Sequence, residues 1–184
     1  SIDKGVSWAE KSTGWFNPYN VPFSAFDIDF VQNHTGSPLT FSALNQAQVG
    51  FSSDFGENWN VSILPEFPDI ALGDVYINIF ALSAFDTDHE IYLGTRGHGV
   101  LQTADGGTSW RSVPDVPHTT HITSVAVSPN YANDKIAFAA NRSGEVWRTQ
   151  NGGDNWSRIG SDSIIKRGPN SYVWIAISPA FATD

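Results

Sequence analysis

The chain has 184 residues, a formal net charge of −9 and only ten lysines and arginines, so it lacks the clustered cations of a nucleic-acid surface. It contains no cysteine, which excludes disulfides and thiolate metal sites, and no apolar run approaches the ~20 residues that span a bilayer. Sixteen glycines and ten prolines separate many short apolar runs, and this pattern predicts an all-β protein.

The first predicted element is a turn that recurs along the chain with the pattern Ser/Thr-x-Asp/Asn-x-Gly-x-x-Trp. The motif residues, copy by copy, are Asp3, Gly5 and Trp8; Asp54, Gly56 and Trp59; Asp105, Gly107 and Trp110; and Asn151, Gly153 and Trp156. Four copies at near-even spacing indicate an internal repeat. We expect the carboxylate or amide to accept backbone N–H bonds two residues on, the glycine to adopt positive φ and the tryptophan to be mostly buried. These predicted roles are structural.

A second motif runs out of phase with the first and predicts the other strands. It reads Ser128-Pro129-Asn130-Tyr131 and returns as Ser178-Pro179-Ala180-Phe181, each after an apolar run. In the third copy this predicts strands near 122–127, 136–140 and 146–149, with a fourth starting at Trp156. A four-stranded unit of ~45 residues is typical of a propeller blade. The repeats then cover approximately 1–21 (the end of a blade), 22–70, 71–116, 117–164 and 165–184 (the start of a blade).

The two motifs resemble the Asp-box (BNR) repeats in the β-propellers of sialidases, xyloglucan-cleaving glycoside hydrolases, sortilin and photosystem II assembly factors. The resemblance implies a β-propeller of four-stranded antiparallel blades with Asp-box turns. It does not fix a function, because these families share a scaffold and differ in activity. About four repeats predict an incomplete ring. The strands lacking beside 172–177 would come from a longer sequence, from strand four at Trp8, from residues missing in a structure, or from another subunit through self-assembly.

The resemblance places ligands on the rim opposite the Asp boxes, where strand two-to-three turns meet the inter-blade connections. Trp15 and Tyr19 lie in a long connection, where aromatic rings either stack on sugars or fill the space between blades. The candidate ligand-binding residues are Trp15, Tyr19, Arg96, His98 and Arg142.

Catalysis on this rim would be glycoside hydrolysis, which needs two carboxylates about 5–10 Å apart. The candidate carboxylates are Asp69 and Asp74, then Asp115 and Asp162. A sialidase also needs several converging arginines, and the six arginines here form no such set in sequence. His118 and His121 are three residues apart without a third ligand nearby, so no metal or other cofactor is expected.

Two functions remain open from the sequence. The first is a non-catalytic extracellular propeller module that binds a glycan or a protein, or builds an assembly. The alternative is a fragment of an Asp-box glycoside hydrolase that acts on polysaccharide. A photosystem II type assembly factor would favour an arginine-lined face, against which the acidic charge argues. Asn-x-Ser/Thr triplets at Asn33, Asn60, Asn141 and Asn155 favour an extracellular or secreted location.

Overall fold

The computed structural model describes residues 25–32, 38–44, 48–52, 58, 60–63, 79–85, 90–105, 108–160 and 173–181. Their strands form three four-stranded antiparallel sheets, and in each sheet neighbouring strands follow one another along the chain. The first sheet contains β1 (Ala25–Gln32), β2 (Pro38–Leu44), β3 (Gln48–Ser52) and β4 (Asn60–Ile63). The second contains β5 (Ile79–Phe85), β6 (Glu90–Thr95), β7 (Val100–Thr103) and β8 (Arg111–Ser112). The third contains β9 (Ile122–Val127), β10 (Ala137–Asn141), β11 (Val146–Thr149) and β12 (Ser157–Ile159).

The three sheets are successive blades of a β-propeller. The first strand of the second blade, β5, contacts both β1 and β9, so the innermost strands lie side by side. Every residue of β7 is buried and only Glu90 of β6 is partly exposed, because neighbouring blades cover both faces of these strands. The outer strand β12 is largely exposed. The all-β propeller fold predicted from the repeats is confirmed, and the four strands predicted in the third copy are present.

The Ser128 motif forms a compact turn between β9 and β10. Ser128 Oγ donates to Asp134 Oδ2 at 2.6 Å, and Asp134 Oδ1 accepts the Ile136 N–H at 2.9 Å. These bonds enclose a one-turn helix, α1 (Tyr131–Asp134), which ends at Lys135 in the left-handed region. The motif therefore fixes the position of Tyr131, which is completely buried.

Tyr131 joins the third blade to the second. Its hydroxyl lies 2.6 Å from that of Tyr92 in β6, and the two rings meet edge to face with centroids 6.0 Å apart. The next copy of the motif repeats the contact, since Phe181 meets Phe138 of β10 edge to face at 5.9 Å. The second motif thus supplies one aromatic ring per repeat to the preceding blade.

Other contacts complete what we call the inter-blade seam, formed by Tyr92, Gln102, Tyr131, Gly152 and Trp156. Gln102 Nε2 of β7 donates to Gly152 O at 2.8 Å and to the Tyr92 hydroxyl at 3.0 Å. The Trp156 ring meets Tyr92 edge to face at 5.8 Å. The seam therefore combines close aromatic packing with hydrogen bonds that cross from one blade to the next.

The segment Val173–Ser178 lies beside the innermost strand of the third blade. Thr123 Oγ1 donates to Val173 O at 2.9 Å, and Ser124 Oγ accepts the Ile175 N–H at 3.0 Å. Within the described part of the chain the segment belongs to none of the three sheets, and Trp174 is 74% exposed. The source of the further strands expected beside this segment stays a prediction. No helix among the described residues is long and apolar enough to cross a membrane.

Candidate functional site

Two arginines occupy the same position in consecutive blades. Arg96 is the first residue after β6 and Arg142 the first after β10, so each opens the turn between the second and third strands of its blade. These turns precede β7 and β11, whereas the Asp105 and Asn151 turns follow those strands. Because a strand separates them, the arginine turns lie at the blade end opposite the Asp105 and Asn151 turns.

The turn of the second blade is closed by its own threonine. Thr95 Oγ1 donates to Gly99 O at 2.8 Å and accepts the His98 N–H at 3.1 Å. Gly97 and Gly99 have φ of 90° and 65°, which a residue with a Cβ rarely adopts. The turn therefore presents Arg96 and His98 from a defined backbone.

The same turn is held against the connection to the third blade. The N–H groups of Gly97 and Gly99 donate to Thr120 O at 3.3 and 3.4 Å. A Cβ on Gly99 would lie 3.2 Å from Pro117 O, so only glycine fits without displacing the connection. This close approach brings His118, which follows Pro117, to the face that carries His98.

His121 lies between the two arginines. It forms a β-bridge with Arg96, and its carbonyl accepts the Arg142 N–H at 2.9 Å. Burial, then the charges of Arg96 and Arg142, lower the pKa of His121 below its ordinary value. Burial, then His118, lower the pKa of His98 in the same way. We call Arg96, His98, His118, His121 and Arg142 the cationic rim; Arg96 and His118 are exposed and the other three are partly exposed.

Two carboxylates near the connection between the second and third blades already accept hydrogen bonds within the protein. Glu145 Oε2 accepts from Asn141 Nδ2 at 2.7 Å, and Glu145 Oε1 lies 3.3 Å from Arg158. Asp115, a candidate acid from the sequence, accepts a hydrogen bond from the backbone N–H of Trp156 at 3.1 Å and so links the second blade to the third. Asp115 also has a φ of 65°, which its short polar side chain tolerates.

The Asp105 turn lies at the other end of the blades. Asp105 accepts the Ser109 N–H at 2.9 Å and the Ser109 and Thr103 hydroxyls at 2.6 and 2.7 Å. The Ser109 hydroxyl, the Ser109 N–H and the Thr103 hydroxyl lower the pKa of Asp105 to about 2. The Ser109 N–H lies four residues on from Asp105, and the N–H two residues on, where a bond was expected, belongs to Gly107, outside the described residues. In the Asn151 turn the corresponding N–H, that of Gly153, donates to the Thr149 hydroxyl at 2.9 Å instead.

The Asn151 turn has the same geometry with an amide in place of the carboxylate. Asn151 Oδ1 accepts the Asn155 N–H at 3.1 Å and the Thr149 hydroxyl at 2.9 Å. Gly153 has the expected positive φ, at 88°. Trp156 is buried at 4% exposure and Trp110 has most of its surface covered, so the two described motif tryptophans are mostly buried, as expected. Trp156 lies in a seam between two described blades.

The structure unites part of the predicted site. Arg96, His98 and Arg142 share the cationic rim, and the sequence interpretation missed that His118 and His121 join them. The sequence signal that could have placed His118 and His121 on this rim is their position in an inter-blade connection. The remaining predicted residues lie outside the described part of the chain: Asp3, Gly5, Trp8, Trp15, Tyr19, Asp54, Gly56, Trp59, Asp69, Asp74, Gly107 and Asp162.

No family model and no curated protein matches the chain. Among solved structures, YCF48 bound to D1 peptide is similar, with a TM-score of 0.53 and 19% identity, covering 79% of this chain and 44% of that one. YCF48 from Cyanidioschyzon merolae has a TM-score of 0.50 and 26% identity, covering 77% and 38% of the two chains. The GH74 enzyme of Niastella koreensis has a TM-score of 0.51 and 13% identity, covering 74% and 22%.

The chain spans less than half the length of each of these similar proteins. They include a peptide complex and a glycoside hydrolase, so the likeness does not select between binding and catalysis. Together with the three meander sheets, the comparisons identify the chain as a β-propeller.

Proposed function

We propose that this chain is a non-catalytic Asp-box propeller module of a secreted or extracellular protein, and that its cationic rim binds an acidic segment of a partner protein. The observation that carries the proposal is the position of His121 between Arg96 and Arg142, which come from consecutive blades. The Asp-box turns at the opposite end serve the scaffold.

An arginine pair held by folded turns is suited to carboxylates. Guanidinium groups form short, charge-assisted and often bidentate hydrogen bonds with carboxylates. The backbone bonds from Gly97 and Gly99 to Thr120, and from Arg142 to His121, fix the segments that carry these side chains. Binding therefore costs less conformational entropy, so a larger part of the interaction energy contributes to the affinity.

A protein partner is favoured over a glycan by the chemistry of the described rim. The described rim carries charged groups, which match an anionic partner. A similar propeller was solved with a peptide bound, which supports peptide recognition on this scaffold.

The glycoside hydrolase alternative receives less support from the described rim. Asp115 is bonded to the Trp156 N–H, and Glu145 is engaged by Asn141 and Arg158. A catalytic pair would therefore be drawn from the candidates Asp69, Asp74 and Asp162. Hydrolysis of a β-glucan that is abolished by Asp69→Asn or Asp74→Asn would favour the alternative.

The proposed location rests on the glycosylation triplets, and the structure separates them. The Asn60 and Asn155 side chains are exposed, whereas Asn141 is 4% exposed and donates to Glu145. We propose Asn60 and Asn155 as acceptors in a secreted protein. Expression in a glycosylating host, followed by peptide mass spectrometry, should find glycan there and not at Asn141.

The binding proposal is tested by titrating the full chain into a fluorescently labelled poly-aspartate peptide and measuring anisotropy. Replacing both Arg96 and Arg142 by glutamine should raise Kd by about a hundredfold or more, since each of the two bonds to a charged group contributes roughly 1.5–3 kcal/mol. Arg111→Gln is the matched control, because it also removes an exposed arginine but lies beside Asp154 at the opposite end. A poly-glutamine peptide tests the need for charge.

Equal weakening by Arg111→Gln would contradict the proposal, because a diffuse charge effect would then explain the binding. Binding of a xyloglucan oligosaccharide with no binding of the acidic peptide would also contradict it, and would favour a glycan ligand. Binding of the peptide should weaken with added salt, since exposed charges are screened.

A further inference from the structure

We infer that the cationic rim takes up protons on His98 and His121 when it binds an acidic ligand, so that binding tightens as the pH falls. The inference rests on the proposed function and adds a regulation to it. Three of the chain's five histidines lie on this one face, beside two arginines. Histidine is the side chain whose charge ordinarily changes near neutral pH.

The backbone holds the three imidazoles close to other cations. His98 stands in the turn after β6, while His118 and His121 stand in the connection between β8 and β9. The bonds of Gly97 and Gly99 to Thr120 join these two segments. The backbone segments that carry the imidazoles are therefore held together when the imidazoles acquire charge.

The neighbours of His98 and His121 on these turns are imidazole and guanidinium groups. His98 lies near His118, and the β-bridge to Arg96 and the bond from the Arg142 N–H place His121 beside both arginines. The nearest described carboxylate on these turns, Glu145, is engaged by Asn141 and Arg158. The free rim therefore opposes protonation, and an added anion is what would relieve that opposition.

The sign of the pH dependence follows from this arrangement. Burial and the neighbouring positive charges hold the pKa of His98 and that of His121 below the ordinary value, so both imidazoles are largely neutral at neutral pH. A bound carboxylate favours the charged imidazoles and raises their pKa. Affinity is then lowest above the pKa values of the complex, rises as the pH falls through them, and levels off below those of the free protein.

The direct test measures Kd for labelled poly-aspartate at about pH 7.5 and about pH 5.5 at constant ionic strength; aspartate stays ionised at both values. A pKa raised by about one unit on binding gives about a tenfold tighter complex for each linked histidine. In the variant that combines His98→Gln, His118→Gln and His121→Gln, Kd should be the same at both pH values. In the control variant, His34→Gln with His89→Gln, Kd should still be lower at the lower pH.

A second readout needs no variant. Calorimetric titration of the unmodified chain at about pH 6.5, in buffers with different ionisation enthalpies, should reveal net proton uptake on binding. Binding that is equally tight at both pH values, without proton uptake, would overturn this inference and leave the proposed function intact. An absence of peptide binding at either pH would instead count against the proposed function itself.

Discussion

The two ends of the blades are built from opposite kinds of residue. At the end with the Asp105 and Asn151 turns, the seam between the second and third blades is buried, aromatic and internally hydrogen-bonded, with Tyr92 and Tyr131 at its centre. At the other end, the rim is charged and partly exposed, with His121 between Arg96 and Arg142. The repeated motifs therefore join the second blade to the third, and we propose that ligand binding belongs to the arginine turns at the opposite end.

The seam and the rim also differ in how they follow the repeat. Phe138 and Phe181 repeat the edge-to-face contact of Tyr92 with Tyr131, so the ring contact of the seam recurs at the next copy of the motif, without the hydroxyl bond. The rim is copied only at its arginines, since the third residue of the turn is His98 in one blade and Gly144 in the next. Stability should therefore respond to changes in the seam, and binding to changes in the rim.

The largest effect on stability is expected for Tyr131→Ala. The change empties a fully buried site and removes both the ring contact and the hydroxyl bond to Tyr92. We expect a loss of about 3–5 kcal/mol in the free energy of unfolding, measured with urea. Tyr131→Phe is the control and should cost only about 1–2 kcal/mol, because it keeps the ring and removes only the hydroxyl, which bonds to Tyr92 and Glu90. A small loss for the alanine variant would show that the seam does not join the blades.

Gly153→Ala should have the next largest effect. Gly153 has a φ of 88°, and a Cβ there would collide with Oε1 of Gln102 in the seam. The backbone strain and the collision together should cost about 2–3 kcal/mol in urea unfolding. Gly97→Ala is a matched control, since its φ is 90° but nothing lies within 4 Å of a new Cβ. Equal losses for the two variants would show that backbone conformation alone, rather than the packing of the seam, limits both sites.

The Asp105 turn should show a measurable acid dependence. The folded-state pKa of about 2 lies below the ordinary 3.8, so the ionised carboxylate stabilises the fold above about pH 4. That contribution is lost as the pH falls from about 4 to about 2, because the carboxylate is then protonated. Asp105→Asn should flatten this part of the curve of Tm against pH, since the Asn151 turn already works with an amide. An unchanged acid slope in the variant would contradict the assignment.

The smallest effect on stability is expected at the rim. Arg96→Gln changes an exposed side chain and should alter the free energy of unfolding by less than about 0.5 kcal/mol while it weakens peptide binding. Urea unfolding of this variant checks the expected stability, and the anisotropy titration checks the weaker binding. A large loss of stability together with weaker binding would mean that the rim acts through the fold.

The sequence predicts the blades well because their signals are local. A turn that bonds Asp105 to Ser109, or Ser128 to Asp134, is contained within a few residues and leaves a readable motif. The strands between such turns follow from short apolar runs. The four strands of the third blade were predictable for this reason.

The candidate site was only partly predictable because it depends on contacts between blades. Arg96 and Arg142 could be found from equivalent turns, but the place of His121 between them is set by a β-bridge and a backbone bond that no motif encodes. The negative net charge of the chain also argued against an arginine-lined face, although a total charge does not determine a local cluster. The bond from the Trp156 backbone N–H to the candidate acid Asp115 spans 41 residues, so no local motif shows it.

The central claim, that the two ends of the blades divide stability from binding, is tested most directly by mapping the ligand on the unmodified protein. An isotope-labelled sample of the full chain would be titrated with poly-aspartate while the backbone amide shifts are recorded by NMR. The account predicts that the changes concentrate at residues 96–99, 118–121 and 142–144. Changes centred on residues 104–110 and 149–155, or spread evenly over both ends, would contradict it.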